Sequence, residues 1–303
     1  MNLENRIYLY DRKANSPSLN LAINRLIIDA IKEGRYDAVA RVYHHTNGII
    51  LGNGESVEDV NTDYCRLNNF EIVTRPSGGS AILVMPDLNL CYSVFANLST
   101  VGMSRDVTKI YKSLVLPLAQ KLGAVVEGIY YMKIKTESGN IPFAGHAMKL
   151  EKDAMQFDGV VQKTRFDMNI LEQAINLRHL YKLNGANYIE MNGRMYDKYG
   201  KETEINLNEA RLLRKEYDEL SKTVGLSELG LSDETFVSHL FSVLSDIFPG
   251  IRETSSMNLG YSKTKKYKKE LEQLNKGKRV ALGHCFVDFM EPEPLLLEEV
   301  YVI

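Results

Sequence analysis

Tryptophan is absent from this chain of 303 residues, and cysteine (three), histidine (six) and proline (eight) are scarce. Cys65, Cys91 and Cys285 show no CxxC or metal-like spacing, and an odd number without a secretion signal points to reduced thiols. None of the histidines, His44, His45, His146, His179, His239 and His284, stands in an HExxH or HxH arrangement, so no metal site is expected. Long apolar runs are missing too. Ala81 to Met85 and Leu295 to Leu297 fall far short of the ~20 residues of a membrane span. The N-terminal MNLENRIYLYDRK has no apolar signal core, so the expectation is a cytoplasmic protein with no membrane partner. Charge of one sign is also lacking: 37 Lys and Arg against 39 Asp and Glu leave a net −2, which offers no field for nucleic acid. No Walker pattern, no GxGxxG and no internal repeat occurs. What remains is 44% hydrophobic and 25% charged residues over roughly two domains' length, enough for a substantial core.

Residues 6–10 read as an edge strand. Ser16 or Ser18 can cap a helix from Leu19 to Lys32, whose apolar residues keep the helical period up to a stop at Gly34. AVARVY (38–43) and GIILG (48–52), divided by the polar HHTN, look like a strand pair. A helix over 59–68 follows, then strands at 70–75, 81–85 and 90–95, a helix at 107–122, and strands at 123–136, 143–151 and 155–164. The β segments come in hairpin-like runs, which predicts a mixed α+β domain with helices on one face. From about 168 the texture turns helical, at 169–182, 206–222 and 232–247, with a turn at Asn192-Gly193. A lysine-rich run over 263–279, a β-like run over 279–289 and an acidic tail close the chain. The lysine-rich run reads as a solvated helix face, with docking of an acidic partner as the alternative. A boundary is expected near 168–185, dividing the chain into 1–180 and a smaller accessory domain, 181–303.

The informative stretch is Arg75-Pro76-Ser77-Gly78-Gly79-Ser80-Ala81, set between two strands. Two glycines permit positive φ and leave main-chain N–H groups uncovered for an anion. Arg75 can add a bidentate charge, and Ser77 and Ser80 can add hydroxyls. The plainer alternative is a glycine turn beside a surface arginine.

RPSGGSA in this setting resembles the RRxSGGGA signature of the lipoate-protein ligase, octanoyltransferase and biotin-ligase superfamily, closest to the lipoate-protein ligase branch. SLNLAIN (18–24), GIILG (48–52), DLNLCYSVF (87–95), KIKTESGNIPFAGHA (133–147) and GHAMKLEKDAMQFDGVV (145–161) resemble further elements of it in the same order. A biotin-ligase loop of the GRGRxGR kind is missing. The resemblance implies an α+β fold of the class II synthetase or biotin-lipoate ligase kind, a mixed sheet flanked by helices with a smaller C-terminal domain. It implies ATP-dependent activation of lipoate or octanoate, with Mg2+, and attachment to a lysine of a lipoyl acceptor domain or a glycine-cleavage H-like protein. By position, Arg75, Ser77, Gly78, Gly79, Ser80 and Ala81 would hold the acyl-adenylate, with Asn89 on pattern in the next strand. Gly145, His146 and Ala147 would line the acyl side.

The chain departs from this pattern at four places. The family lysine falls on Pro142, an Asn-Asp pair on Tyr130 and Tyr131, a His-Asp pair on Val84 and Met85, and a His-His pair on Phe157 and Asp158. Lys149, Lys135 and Lys133 are the cations on the neighbouring strands that could replace the lysine, the alternative being solvated strand residues. A helper subunit could also supply the missing group. Family octanoyltransferases use a cysteine thiolate instead and need no ATP. Cys91, within LCYSVF, is the candidate for that role, with an inert buried thiol as the alternative. A non-catalytic homologue that binds an acyl ligand or a partner is the remaining reading.

Overall fold

The computed structural model describes residues 5–57, 60–128, 131–137, 139–165, 167–175, 180–183, 186–191, 194–197, 202–203, 223–257, 280–282, 285–287 and 300–301. The chain opens with β1 (Arg6–Asn15), α1 (Pro17–Lys32), β2 (Ala38–His45), β3 (Gly48–Leu51), α2 (Thr62–Leu67), β4 (Glu71–Thr74), β5 (Ile82–Val84) and β6 (Asn89–Asn97). It continues with α3 (Leu98–Val101), α4 (Val107–Lys121), β7 (Val125–Glu127), β8 (Tyr131–Thr136), β9 (Gly139–Glu151), β10 (Ala154–Gln162) and α5 (Met168–Ala174). Then come β11 (Leu180–Leu183), β12 (Ala186–Met191), β13 (Arg194–Asp197), β14 (Glu202–Thr203), α6 (Asp233–Ile247) and β15 (Arg252–Glu253). The short strands β16 (Ser256–Met257), β17 (Val280–Leu282), β18 (Cys285–Val287) and β19 (Val300–Tyr301) close the order.

The principal sheet has eight strands in the order β15-β1-β2-β6-β10-β9-β8-β7. β1 runs parallel to β2 and β15, while every other neighbouring pair is antiparallel, so the sheet is mixed. α1 covers one face. Ser16 accepts the Leu19 N–H, Pro17 opens the helix, and the Glu71 carboxylate accepts the Ser18 N–H from outside. Ile23, Leu26, Ile27 and Ile31 then pack on Ile7, Leu9, Val39 and Phe95. α4 and α6 cover the opposite face: Tyr111, Leu114, Leu118, Phe236, Leu240 and Leu244 meet Tyr8, Val42, Tyr92, Val94 and Phe157. Each such fully buried side chain contributes about 1.5–3 kcal/mol of transfer free energy.

The fold is α+β with a mixed sheet, as the sequence indicates, but helices lie on both of its faces rather than one. Four further local expectations are corrected. β2 and β3 do not pair: β2 is buried throughout between β1 and β6, while β3 lies in a second sheet, β17-β18-β4-β3-β5, parallel to β4 and antiparallel to β5. The stretch 123–136 is two strands, because Gly128 turns at φ 63° and folds β7 back on β8. The strand expected from 143 begins earlier, so residues 140–142 already belong to β9, and the β8–β9 register slips beside Pro142. The helix expected over 169–182 stops at Ala174, and Leu180–Leu183 is a strand. That strand pairs antiparallel with β12. The principal core also crosses the expected boundary, since Leu226, Phe236, Leu240, Val243, Leu244, Phe248 and Ile251 belong to it. The segments 206–222 and 263–279 and most of the acidic tail lie outside the described residues.

Candidate active site

The glycine-rich loop joins β4 to β5, and β3 lies between those two strands. The loop therefore arches over the end of β3 instead of closing a hairpin. That arch explains its composition. A Cβ on Gly52, just past β3, would stand 1.8 Å from the Gly79 carbonyl oxygen. Gly79 has φ 92°, and a Cβ there would press on Arg75 Nη2 at 2.9 Å. Arg75 is buried, and its guanidinium grips the backbone: Nη1 donates to Ile50 O at 3.0 Å, and Nη2 to Gly78 O at 2.7 Å and Ser80 O at 2.9 Å. Arg75 thus stiffens the loop, with its charge turned towards carbonyl oxygens. Burial pulls its pKa down from the ordinary value, opposed by the charges of Asp158 and Glu55. Pro76 and Ala81 are half-buried, Ser77 is buried, and Gly78, Gly79 and Ser80 are exposed.

Ser77 points inward, and its Oγ donates to Asp158 Oδ2 at 3.1 Å. Asp158 lies on β10, near the middle of the sheet. Ser93 Oγ donates to its Oδ1 at 2.7 Å, and Gln156 Nε2 reaches both oxygens at 3.1 Å. Behind Ser93 a polar chain runs under α1. Asn24 Nδ2 donates to Ser93 Oγ at 3.2 Å and to the Tyr43 hydroxyl at 3.1 Å, while Arg41 Nη1 donates to Asn24 Oδ1 at 3.1 Å. Arg41 is sealed in by Asp11 at 2.9 Å, Asn20 Oδ1 at 2.6 Å and the Tyr43 ring at 4.3 Å. The two asparagines of the SLNLAIN segment thus satisfy a buried arginine. Burial raises the Asp158 pKa, and the bonds from Ser93, Gln156 and Ser77 oppose that rise.

Asp158 and Val160 of β10 and Gly145, Ala147 and Lys149 of β9 are only half-buried, although β10 is an interior strand. The register places Asp158 opposite Ala147 and Val160 opposite Gly145, so cross-strand partners share one face. This face, with small residues on β9 and the Ser77 side of the loop bonded to Asp158, is only partly covered, and we read it as a slot. A Cβ on Gly145 would come no nearer than 3.8 Å, to the Tyr131 ring.

The other predicted residues fall elsewhere. His146 points to the opposite face, where Nε2 lies 2.7 Å from the Tyr92 hydroxyl beside the Phe157 ring. Gly159 admits that Tyr92 ring, since a Cβ there would meet it at 2.3 Å. Asn89 is buried and holds the β5–β6 turn, donating to Leu83 O at 2.8 Å and accepting the Met85 N–H at 3.3 Å. Lys149 is on the slot face but is paired with Glu151, which also pairs with Lys32 of α1. These two lysines hold the Glu151 carboxyl down at about 2. Lys135 is exposed on β8, opposite Asn140. Lys133 stands directly across from Pro142, on the face of Tyr131 and the slot, and pairs with Glu127 at 2.7 Å. Cys91 is buried, and burial pushes its thiol up to about 12, with Asp158 adding to the rise. At neutral pH it is a protonated, inert thiol. Burial also pushes the Cys65 thiol up, to about 11. The sequence marks Asp158 only as a departure from a family His-His pair, not as a site residue, although a carboxylate inside the apolar run MQFDGVV, two positions from a glutamine on the same face, was a visible signal.

A glycine-rich loop fastened through Ser77 to one face of a mixed sheet is the arrangement this α+β domain presents. Residues 16–179, just over half of the chain, match the lipoyl protein ligase A/B catalytic domain, and the chain belongs to that family. It is 29% identical over 145 residues to octanoyltransferase LipM of Lysinibacillus sphaericus, covering 47% of this chain and 50% of that protein. The match thus spans half the length of that curated relative. Among solved structures, the bi-partite lipoate protein ligase of Thermoplasma acidophilum, studied with its E2 lipoyl domain, superposes with TM-score 0.63 at 17% identity, covering 88% of this chain and 92% of the other. Lipoate-protein ligase A bound with ATP gives 0.56 at 13% identity over 82% and 87% of the two chains. At such identities these structures share the fold.

Proposed function

We propose that this protein transfers a lipoyl or octanoyl group to a lysine of a lipoyl acceptor domain or an H-like protein. The observation that carries the reading is the slot: a family glycine loop bonded through Ser77 to a half-buried strand face made of Gly145, Ala147 and Val160. An alkyl chain laid along that face would gain about 0.8 kcal/mol per buried methylene. Its activated carbonyl would lie under the exposed main chain of Gly78, Gly79 and Ser80, where N–H groups can stabilise developing negative charge.

Two sources of the activated acyl group fit this reading. Activation by ATP needs cations where phosphate charge builds. Lys133, across from Pro142, is the best placed of them, and Arg75 would have to exchange carbonyl partners for phosphate. A separate helper subunit is a further source of cations, in keeping with the bi-partite ligase. Among the described residues no three His, Cys, Asp or Glu side chains gather around a common point, so these residues offer no dedicated magnesium cage. The second source is a ready-made octanoyl thioester, favoured by the octanoyltransferase relative and by the engagement of Arg75 with its own loop. Cys91 is not the carrier in that scheme, since its thiol stays protonated and covered.

Incubation with a lipoyl domain and either octanoate or lipoate plus MgATP, or octanoyl thioester, followed by intact-mass analysis, separates these routes. Acyl mass gain on the lipoyl domain is expected with at least one donor; none with any donor would reject acyl transfer by this chain.

A further inference from the structure

The slot contains a carboxyl group, that of Asp158, which binding of an acyl group leaves unused. Asp158 receives three donors, Ser93, Ser77 and Gln156, at 2.7 to 3.1 Å. All of them are neutral. Among the described residues no lysine or arginine makes an ion pair with it. The donor direction can be followed back from Ser93 through Asn24 to Arg41, so the network requires Asp158 as the acceptor at its end. A carboxylate offers about four lone-pair positions; Ser93 and Ser77 take one each, and the Gln156 amide is shared between the two oxygens at 3.1 Å, so it holds those positions only weakly. Asp158 is half-buried rather than sealed, and it shares its open face with Ala147. The other ionisable groups around it are Arg75 behind the loop, Arg41 and Tyr43 on β2, Cys91 on β6 and Lys149 on β9. A fixed carboxylate whose weakest contact is a shared neutral amide, facing a slot and without a cation of its own, suits a visiting primary ammonium.

This inference rests on the acyl-transfer reading. We propose that Asp158 is the base that receives the acceptor lysine: its carboxylate takes a proton from the incoming ammonium, and the neutral amine attacks the acyl carbonyl. The new carbon–nitrogen bond forms as the bond from the carbonyl carbon to the thioester sulfur, or to the adenylate phosphate oxygen, breaks. The leaving atom takes that electron pair. The remaining extra proton on nitrogen goes to the thiolate, or to water when the nucleotide leaves. Asp158 then returns its proton to solvent through the open face. Ser77, Ser93 and Gln156 keep the carboxylate aimed, and its burial keeps it more basic than a surface aspartate.

The test compares two acceptors with whichever acyl donor the unmodified protein uses: the lipoyl-domain lysine, and hydroxylamine, whose nitrogen is unprotonated at neutral pH. Asp158→Asn should lower transfer to lysine by about 100-fold or more, the usual size of a general-base contribution. The loss with hydroxylamine should be at least about 20-fold smaller than that. Asp158→Glu, which keeps a carboxylate, should recover most of the lysine activity. Equal losses with both acceptors would show that Asp158 only holds the loop and would overturn the proposal. So would a Glu variant as inactive towards lysine as the Asn variant. If the unmodified protein acylates neither acceptor, the acyl-transfer reading falls and takes this proposal with it.

Discussion

Gly52→Ala should break the candidate site from behind. The added Cβ would lie 1.8 Å from the Gly79 carbonyl oxygen, whereas ordinary contact begins near 3.4 Å, so the loop must retreat by roughly 1.6 Å. The bonds from Arg75 to Gly78 O at 2.7 Å and Ser80 O at 2.9 Å would then stretch beyond hydrogen-bond range. Bonds to a charged donor contribute about 1.5–3 kcal/mol each, and a buried guanidinium left short of acceptors adds its desolvation cost. Relaxation returns part of this, leaving an expected loss of about 3 kcal/mol. Acyl transfer should fall about 100-fold as well, since a shift of about 1 Å at a positioned group costs that much. The control is Gly78→Ala in the same loop. A Cβ there meets nothing within 4 Å and φ is not positive, so stability should stay within about 0.5 kcal/mol. Urea unfolding followed by circular dichroism, with slopes compared as well as midpoints, measures both. A Gly52 variant that loses under 1 kcal/mol, or loses no more than the Gly78 variant, would refute the arch over β3.

Two other outcomes follow from the buried polar network. Arg41→Met strands the Asp11 carboxylate and should cost about 3–5 kcal/mol, while Asp11→Asn combined with it should cost less than the two single losses added together; additive losses in chemical denaturation would contradict the coupling. His45 is buried, and burial, then Arg41, then His44 hold its pKa down at about 3 against an ordinary 6.5. The unfolded chain takes up this proton near pH 6.5 and the folded one does not, so stability should fall as pH drops from about 6.5 towards 3. His45→Gln should flatten that part of the stability–pH curve, and an unchanged slope would assign the acid sensitivity elsewhere.

Much of the site was legible as local chemistry. Ser16, the apolar period of α1 and the stop at Gly34 are readable because caps and helical faces are set by residues three or four apart. The loop was readable from its paired glycines, and the open floor from Gly145 and Ala147. The faces were harder. His146 and Ala147 are adjacent, so one had to turn away from the slot, and only the pairing of β9 with β10 shows which. Lys149 does share the face of Ala147, but it is held by Glu151, whose carboxylate also pairs with Lys32 from a helix more than a hundred residues earlier in the chain. Asn89 matched a pattern and serves a turn.

Sequence alone determined the ordered elements that resemble the family, the mixed α+β character and the glycine loop, because each depends on residue type and near spacing. Tertiary structure alone decided that β2 and β3 belong to different sheets, that the loop arches over β3, that Arg75 faces its own backbone, that Lys133 stands beside Pro142 and that Asp158 opens into the slot. Strand neighbours are chosen by burial summed over the whole sheet, and a side chain's direction follows from that choice. A stretch of sequence read by itself carries no record of the partner that covers it.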